Sequence, residues 1–216
     1  MKAAVYHESG AEEVLVYEDV PDPECGSDEV RMRVRAASVN RGDLHQRAGV
    51  RGGVQTTRTP GRGVWPHVIG WDIAGEIESV GRNVDDRRVG ERVVAALIQG
   101  GGYAELATAP SKDAVPIPDN VSFDEAAALP IAYLTAWYAL KRRARLQPSE
   151  TALIHAGASG VGVGAIQIAK NLGATVIATA GTDDKVDFCK GLGADHGINY
   201  LEHDFVEEAA RITGGR

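Results

Sequence analysis

A chain of 216 residues, 44% hydrophobic and 25% charged, carries 23 basic against 30 acidic side chains, a formal charge of −7. At roughly 150 residues per domain this is one large domain or two modest ones, with enough apolar content to exclude wholesale disorder. The acidic balance argues against a nucleic-acid partner, and no apolar run approaches the ~18 residues of a membrane span. Met1-Lys2-Ala3-Ala4-Val5 is too short and polar to open a signal peptide, and Cys25 and Cys189 match no zinc or redox spacing. These features predict a soluble, cytoplasmic protein that binds neither nucleic acid nor membrane.

Up to about Lys112 the chain is rich in glycine and in short β-type runs: Val14 to Tyr17, Val30 to Val39, Ile73 to Val80 and Arg92 to Leu97. In Val30-Arg31-Met32-Arg33-Val34-Arg35-Ala36 the arginines alternate with apolar residues, the period of a half-buried strand. Many short strands with Gly/Asp turns predict a small barrel or sandwich. The loop Pro116, Pro118, Asp119, Asn120 marks a boundary, giving domains 1–121 and 122–216.

Beyond that loop the period changes. Ser122-Phe123-Asp124-Glu125 reads as a capped helix start. A helix is predicted over Ile131 to Arg145, with Leu134, Trp137, Tyr138 and Leu140 on its apolar side. Then follow a strand (Thr151 to His155), a glycine turn, a helix (Val161 to Leu172) stopped by Gly173, and a strand (Thr175 to Ala180). A helix (Asp183 to Leu192), a short strand around Gly197-Ile198-Asn199 and a helix (Asp204 to Ile212) complete the series. Alternation of this kind predicts an α/β domain with a parallel sheet.

The turn Ile154-His155-Ala156-Gly157-Ala158-Ser159-Gly160-Val161-Gly162 is a variant dinucleotide-binding motif, with Ser159 where a second glycine is usual. Gly157 is expected to allow the tight turn and Gly162 the close packing of helix on strand, while Ser159, Gly160 and Val161 open a helix whose free N–H groups suit a pyrophosphate. Glycines that merely serve a strand-to-helix turn are the plainer alternative. The second strand runs out into Ala180-Gly181-Thr182 with no carboxylate at its tip, which favours a 2′-phosphate and hence NADPH. Asp183 and Asp184 follow closely; they repel a phosphate if they face it, or cap the next helix. A short-chain dehydrogenase is excluded, because none of the six tyrosines is followed four residues later by lysine.

Several motifs taken together resemble the medium-chain dehydrogenase/reductase superfamily, in its zinc-free quinone oxidoreductase branch. They are Ala36-Ala37-Ser38-Val39-Asn40 with Gly42-Asp43, Gly70-Trp71-Asp72-Ile73-Ala74-Gly75-Glu76-Ile77 with Val80-Gly81, and Gly90-Glu91-Arg92-Val93. Gly101-Gly102-Tyr103-Ala104-Glu105, and Ala126-Ala127-Ala128-Leu129-Pro130 with Leu134-Thr135-Ala136, continue the series in the family's order. The resemblance implies an α/β protein with an N-terminal GroES-like β-rich domain and the first half of a Rossmann domain. Zinc-dependent relatives place a cysteine where Asn40 stands and a His-Glu pair where Trp71-Asp72 stand, so no zinc is expected here.

Hydride transfer from NADPH to a small-molecule quinone or enone is the activity implied; an enoyl or alkenal reductase and a non-catalytic dinucleotide-binding protein are the alternatives. The resemblance places Asn40 and Thr135 beside the nicotinamide and substrate, against the plainer roles of a turn asparagine and a helical threonine. His45 stands where relatives often have an active-site tyrosine and could donate a proton, or it is an exposed helical histidine. Asp43 reads as a helix cap. Lys170 and Tyr200 fall where NADPH-using members bind the 2′-phosphate, with Thr182 adding a hydroxyl. The Gly-, Thr- and Arg-rich segment Val50 to Trp65 looks longer than the family loop and is expected at the cleft mouth. Ile212-Thr213-Gly214-Gly215-Arg216 resembles the helix stop before a further Rossmann strand, and full-length relatives are expected to be homodimers.

Overall fold

The computed structural model describes residues 1–51, 54–55 and 66–215, which form two compact units, Met1–Ile131 and Ala132–Arg216. Apart from the strand residues 50–51 and 54–55, the segment Val50 to Trp65 lies outside the described residues.

The first unit holds β1 (Lys2–Tyr6), β2 (Val16–Asp19), β3 (Glu29–Ser38), α1 (Arg41–Arg47), the two-residue strands β4 (Val50–Arg51), β5 (Val54–Gln55) and β6 (His67–Val68), then β7 (Asp72–Val80), β8 (Arg92–Ala96), β9 (Leu106–Pro110) and β10 (Val115–Pro116). A five-stranded antiparallel sheet runs β10-β8-β7-β3-β9, and a three-stranded sheet runs β2-β1-β6. Alternation in β3 decides its two faces. Val30 and Met32 are fully buried with Ile73, Ile77 and Val93, while Arg31 and Arg33 both reach Glu78 and Arg35 pairs with Glu76 at 3.0 Å. Register shifts at Arg31/Met32 and Val34/Ala36 bend the β3–β7 pair and bring Ser38 opposite Asp72.

α2 (Phe123–Ala127) starts at Ser122, whose hydroxyl accepts from Glu125 N while the Glu125 carboxylate accepts from Ser122 N, a closed capping box. Its buried Ala126 and Ala127 pack with Ala74 and Ile117 of the first unit. The compact unit therefore runs through Ile131 rather than stopping at residue 121.

α3 (Pro130–Trp137) continues through wider π-helical turns, Tyr138–Ala144, and ends at Arg145 in the left-handed region, φ 55°. The expected apolar face is buried only in part. Leu134, Trp137 and Tyr138 are 59, 45 and 59% exposed, while Leu140, from the same expected face, packs with Ala136 on the core.

The second unit contains β11 (Thr151–Ile154), α4 (Gly160–Asn171), β12 (Thr175–Ala180), α5 (Asp183–Gly191), β13 (His196–Asn199) and α6 (Phe205–Thr213). The three strands are parallel, in the order β11-β12-β13. Ile154, Ile166, Val176, Ala178 and Cys189 form the core between sheet and helices. Gly173, φ 79°, stops α4 where a left-handed residue is required. Among the described residues no helix is long and apolar enough to cross a membrane.

Candidate active site and nucleotide cleft

In open parallel sheets ligands bind outside the carboxyl ends of the strands. Here those ends are the turn after Ile154, the Ala180–Thr182 tip and Asn199-Tyr200. The first turn takes its left-handed residue at Ala156, φ 52°, and not at Gly157. Gly157 is needed for a different reason: a Cβ there would stand 2.8 Å from Cys189 Sγ and 3.0 Å from Ala178 Cβ. Gly162 fills the expected role, since a Cβ would run into the carbonyl oxygens of Ala156 and Gly157.

Ser159 caps α4, its hydroxyl accepting from Gly162 N at 3.1 Å, while its own N–H donates to Ala156 O. Val163 N reaches Ser159 O. The N–H groups of Gly160 and Val161 have no acceptor among the described residues, so two donors and the positive end of the helix dipole face the cleft. Gly160 also leaves room, its nearest neighbour to a Cβ being Ala132 Cβ at 3.8 Å.

At the second strand tip Thr182 caps α5, its hydroxyl accepting from Lys185 N at 3.4 Å. Asp183 does not cap: its Oδ1 accepts from Asn199 Nδ2 at 3.0 Å. Tyr200 lies against the same tip, its hydroxyl 2.9 Å from where a Cβ on Gly181 would be. The structure thus gathers Gly181, Thr182 and Tyr200.

Lys170 is not with them. It sits in the last turn of α4, ten residues or about 15 Å past the helix start, and its Nζ holds both oxygens of Asp195 at 2.8 Å. Asp195 in turn accepts from Val176 N, so the pair ties α4 to the opposite edge of the sheet. An exposed cation that the chain does put next to the second strand tip is Lys185, in the first turn of α5, whose N–H donates to Thr182 Oγ1. Its signal in the sequence was position: a basic residue just after the second strand rather than at the end of the first helix.

In the first unit, Asn40 stands in the link from β3 into α1 and His45 within α1. Asn40 and Asp43 close a capping box on α1, and Asn40 N donates to Asp43 Oδ2 at 2.7 Å. Tyr103 donates from its hydroxyl to the same Oδ2 at 2.7 Å. Asn40 Nδ2 donates to Asp72 Oδ2 at 2.9 Å and to Ser38 Oγ at 3.1 Å, and Ser38 donates to Asp72 Oδ2 at 2.8 Å. The N–H of Ile131 supplies Asp72 Oδ1.

Asp43 and Asp72 are each 1% exposed, and burial pushes both carboxyl pKa values above the ordinary range against the pull of these hydrogen bonds. Trp71 packs its ring on Gly42 and donates from Nε1 to Gln46 Oε1 at 2.8 Å, which pins α1 to β7. His45 is half-buried without a polar partner among the described residues, and Thr135 is exposed with its hydroxyl free. Ser38, Asp72 and Tyr103 were not expected here; they come from β3, β7 and the link between β8 and β9, and no local spacing points to them.

Two family models match the chain: the alcohol dehydrogenase GroES-like domain over residues 26–119 and the zinc-binding dehydrogenase domain over 160–216. A 2-haloacrylate reductase of Burkholderia sp is 36% identical over 99% of this chain and 63% of its own length. The crystal structure of the Escherichia coli quinone oxidoreductase complexed with NADPH superposes with a TM-score of 0.89 at 32% identity, over 100% of this chain and 63% of that one. An NAD-dependent alcohol dehydrogenase structure gives 0.89 at 37% identity, over 100% of this chain and 68% of that one. The chain belongs to the medium-chain dehydrogenase/reductase superfamily. It spans about 63% of the length of the 2-haloacrylate reductase and of the Escherichia coli enzyme.

Proposed function

We propose that residues 1–216 belong to an NADPH-dependent, zinc-independent oxidoreductase that reduces a quinone or another α,β-unsaturated carbonyl. The observation that carries the reading is the pair of N–H groups without an acceptor among the described residues, Gly160 and Val161, at a helix start at the carboxyl end of the sheet, where the next strand tip holds Thr182 and Tyr200 and α5 opens with Lys185. Those groups suit a dinucleotide: two donors and a dipole for the pyrophosphate, a cation, a phenol and a hydroxyl for a 2′-phosphate. Two of the relatives support cofactor and acceptor, one a quinone oxidoreductase held with NADPH and the other a 2-haloacrylate reductase, while the NAD-dependent alcohol dehydrogenase makes NADH the necessary comparison.

NADPH supplies the hydride. In this reading Asn40 and Thr135 contribute hydrogen bonds that orient ring and acceptor, and His45 is the candidate proton donor once the acceptor is reduced. The acceptor needs no Lewis acid, because a conjugated carbonyl is already polarised. NADPH and NADH titrations followed by cofactor fluorescence, then NADPH consumption with p-benzoquinone and with 2-chloroacrylate, test this. Tight NADPH binding with turnover on either acceptor is expected. Binding without turnover by a chain that includes these residues and the remainder of a full-length relative would favour the non-catalytic dinucleotide-binding alternative, and no binding would overturn the reading.

A further inference from the structure

We propose that Asp72 is a positioning residue for Asn40, fixing its carboxamide so that the amide oxygen is presented to a ligand. The inference rests on the oxidoreductase reading above for what that ligand is, but its geometry stands without it.

The carboxamide of Asn40 has two N–H donors and one carbonyl oxygen. Its nitrogen stands 2.9 Å from Asp72 Oδ2 and 3.1 Å from Ser38 Oγ, two atoms themselves 2.8 Å apart, so both draw on the same side of the amide. The orientation of the amide follows from chemistry: turning it over would set its oxygen against a carboxylate oxygen that already takes a proton from Ser38. Ser38, Asn40 and Asp72 form a closed triangle of hydrogen bonds. Asp72 cannot easily leave this arrangement. It is 1% exposed, faces Ser38 across the β3–β7 pair, and its other oxygen is taken by Ile131 N.

The carbonyl oxygen of Asn40 leans over the first turn of α1 in the capping box and takes no other donor among the described residues. One lone pair remains, on a half-buried side chain. Such an atom recognises a hydroxyl or an amide N–H, as a ribose or a carboxamide would present. It does not stabilise a developing oxyanion on the substrate, so that charge must be met elsewhere.

The test has two arms. In the first, side-chain amide resonances of Asn40 are followed by NMR in the native chain and in Asp72→Asn and Ser38→Ala. The native amide protons are expected to be ordered and protected, and to exchange about tenfold faster in either variant, as the loss of a hydrogen bond implies. Native amide protons that exchange at the solvent rate overturn the proposal, as does an unchanged rate in an Asp72→Asn variant that melts like the native chain. Should Asp72→Asn fail to fold, the Ser38→Ala comparison decides.

In the second arm, kinetics are measured in a chain shown to turn over. Asp72→Asn is expected to lower kcat by about tenfold with KM for NADPH moved much less, because it loosens orientation rather than cofactor grip. Equal losses in both parameters, or none, overturn the proposal. A chain that never turns over counts against the oxidoreductase reading, and the NMR arm still decides the positioning.

Discussion

The ammonium of Lys170 and the carboxylate of Asp195 form a two-pronged ion pair, both contacts at 2.8 Å, at the amino edge of the parallel sheet. The Lys170 hydrogen bond, followed by that from Val176 N, holds the Asp195 carboxyl below the ordinary carboxylate range. A depressed folded-state pKa gives stability that is present above the unfolded value and lost as pH falls through the folded one. Lys170→Ala is therefore expected to cost about 0.5 kcal/mol at neutral pH, the worth of a half-exposed pair, and to flatten the acid limb of the stability curve. It leaves NADPH affinity unchanged. Lys185→Ala does the reverse, weakening NADPH about tenfold and NADH hardly at all, with a native melting curve. Cofactor titrations on both variants separate the two lysines.

Two glycines of one turn are expected to fail differently. A methyl group on Gly162 meets backbone oxygens that have nowhere to go, so Gly162→Ala costs about 2 kcal/mol or more of stability. A methyl group on Gly160 meets only a distant Ala132, so Gly160→Ala melts normally but loses NADPH, because the side chain fills the space a phosphate needs. Denaturant melts and cofactor titrations, run side by side, check both.

Asp43 takes two hydrogen bonds on Oδ2, from Tyr103 and Asn40 N, and none on its buried Oδ1 among the described residues. Burial, against those two bonds and with the nearby Asp72 charge adding to it, pushes its pKa up. A raised folded-state pKa reverses the sign found for Asp195: the contribution is full below the ordinary carboxylate value and is lost as pH rises through the raised one. Asp43→Asn removes that titration while keeping an acceptor for both donors. Its stability is expected to fall less than the native chain's between acidic and neutral pH, with a residual slope left by Asp72. Parallel slopes in urea melts would contradict this.

Chelation is expected to change neither melting nor activity. The Asn40 amide nitrogen already donates inside the protein, Asp72 accepts three hydrogen bonds, and Trp71 Nε1 donates to Gln46. A loss of activity on treatment with a chelator, restored by zinc, would count against the zinc-independent reading.

The second unit was legible almost residue by residue, because each of its elements is local. Thr175 to Ala180 stands where apolar period puts it, and in the first unit the Ser122 cap stands where capping chemistry does. The misplaced Lys170 shows where that kind of reading stops: a lysine marks a helix end, but which sheet edge the end reaches depends on counting the rise from the turn. Leu134, Trp137 and Tyr138 show a second limit, since an apolar stripe does not say which of its flanks meets the core. The Ser38–Asn40–Asp72 ring was out of reach for a third reason. Its members lie 32 and 34 residues apart and meet through the bulged register of β3 on β7.

That register has its own safeguard. Sliding β3 by one residue along β7 would drive arginines into the core, which alternation alone forbids. Sliding it by two would keep every apolar side chain inside, and alternation could not object. The Arg31, Arg33 and Arg35 guanidiniums facing Glu78 and Glu76 can: an even slip strands one end of the ladder without its opposite charge. The outer face of the sheet thus acts as a vernier, reading the offsets to which the inner face is blind.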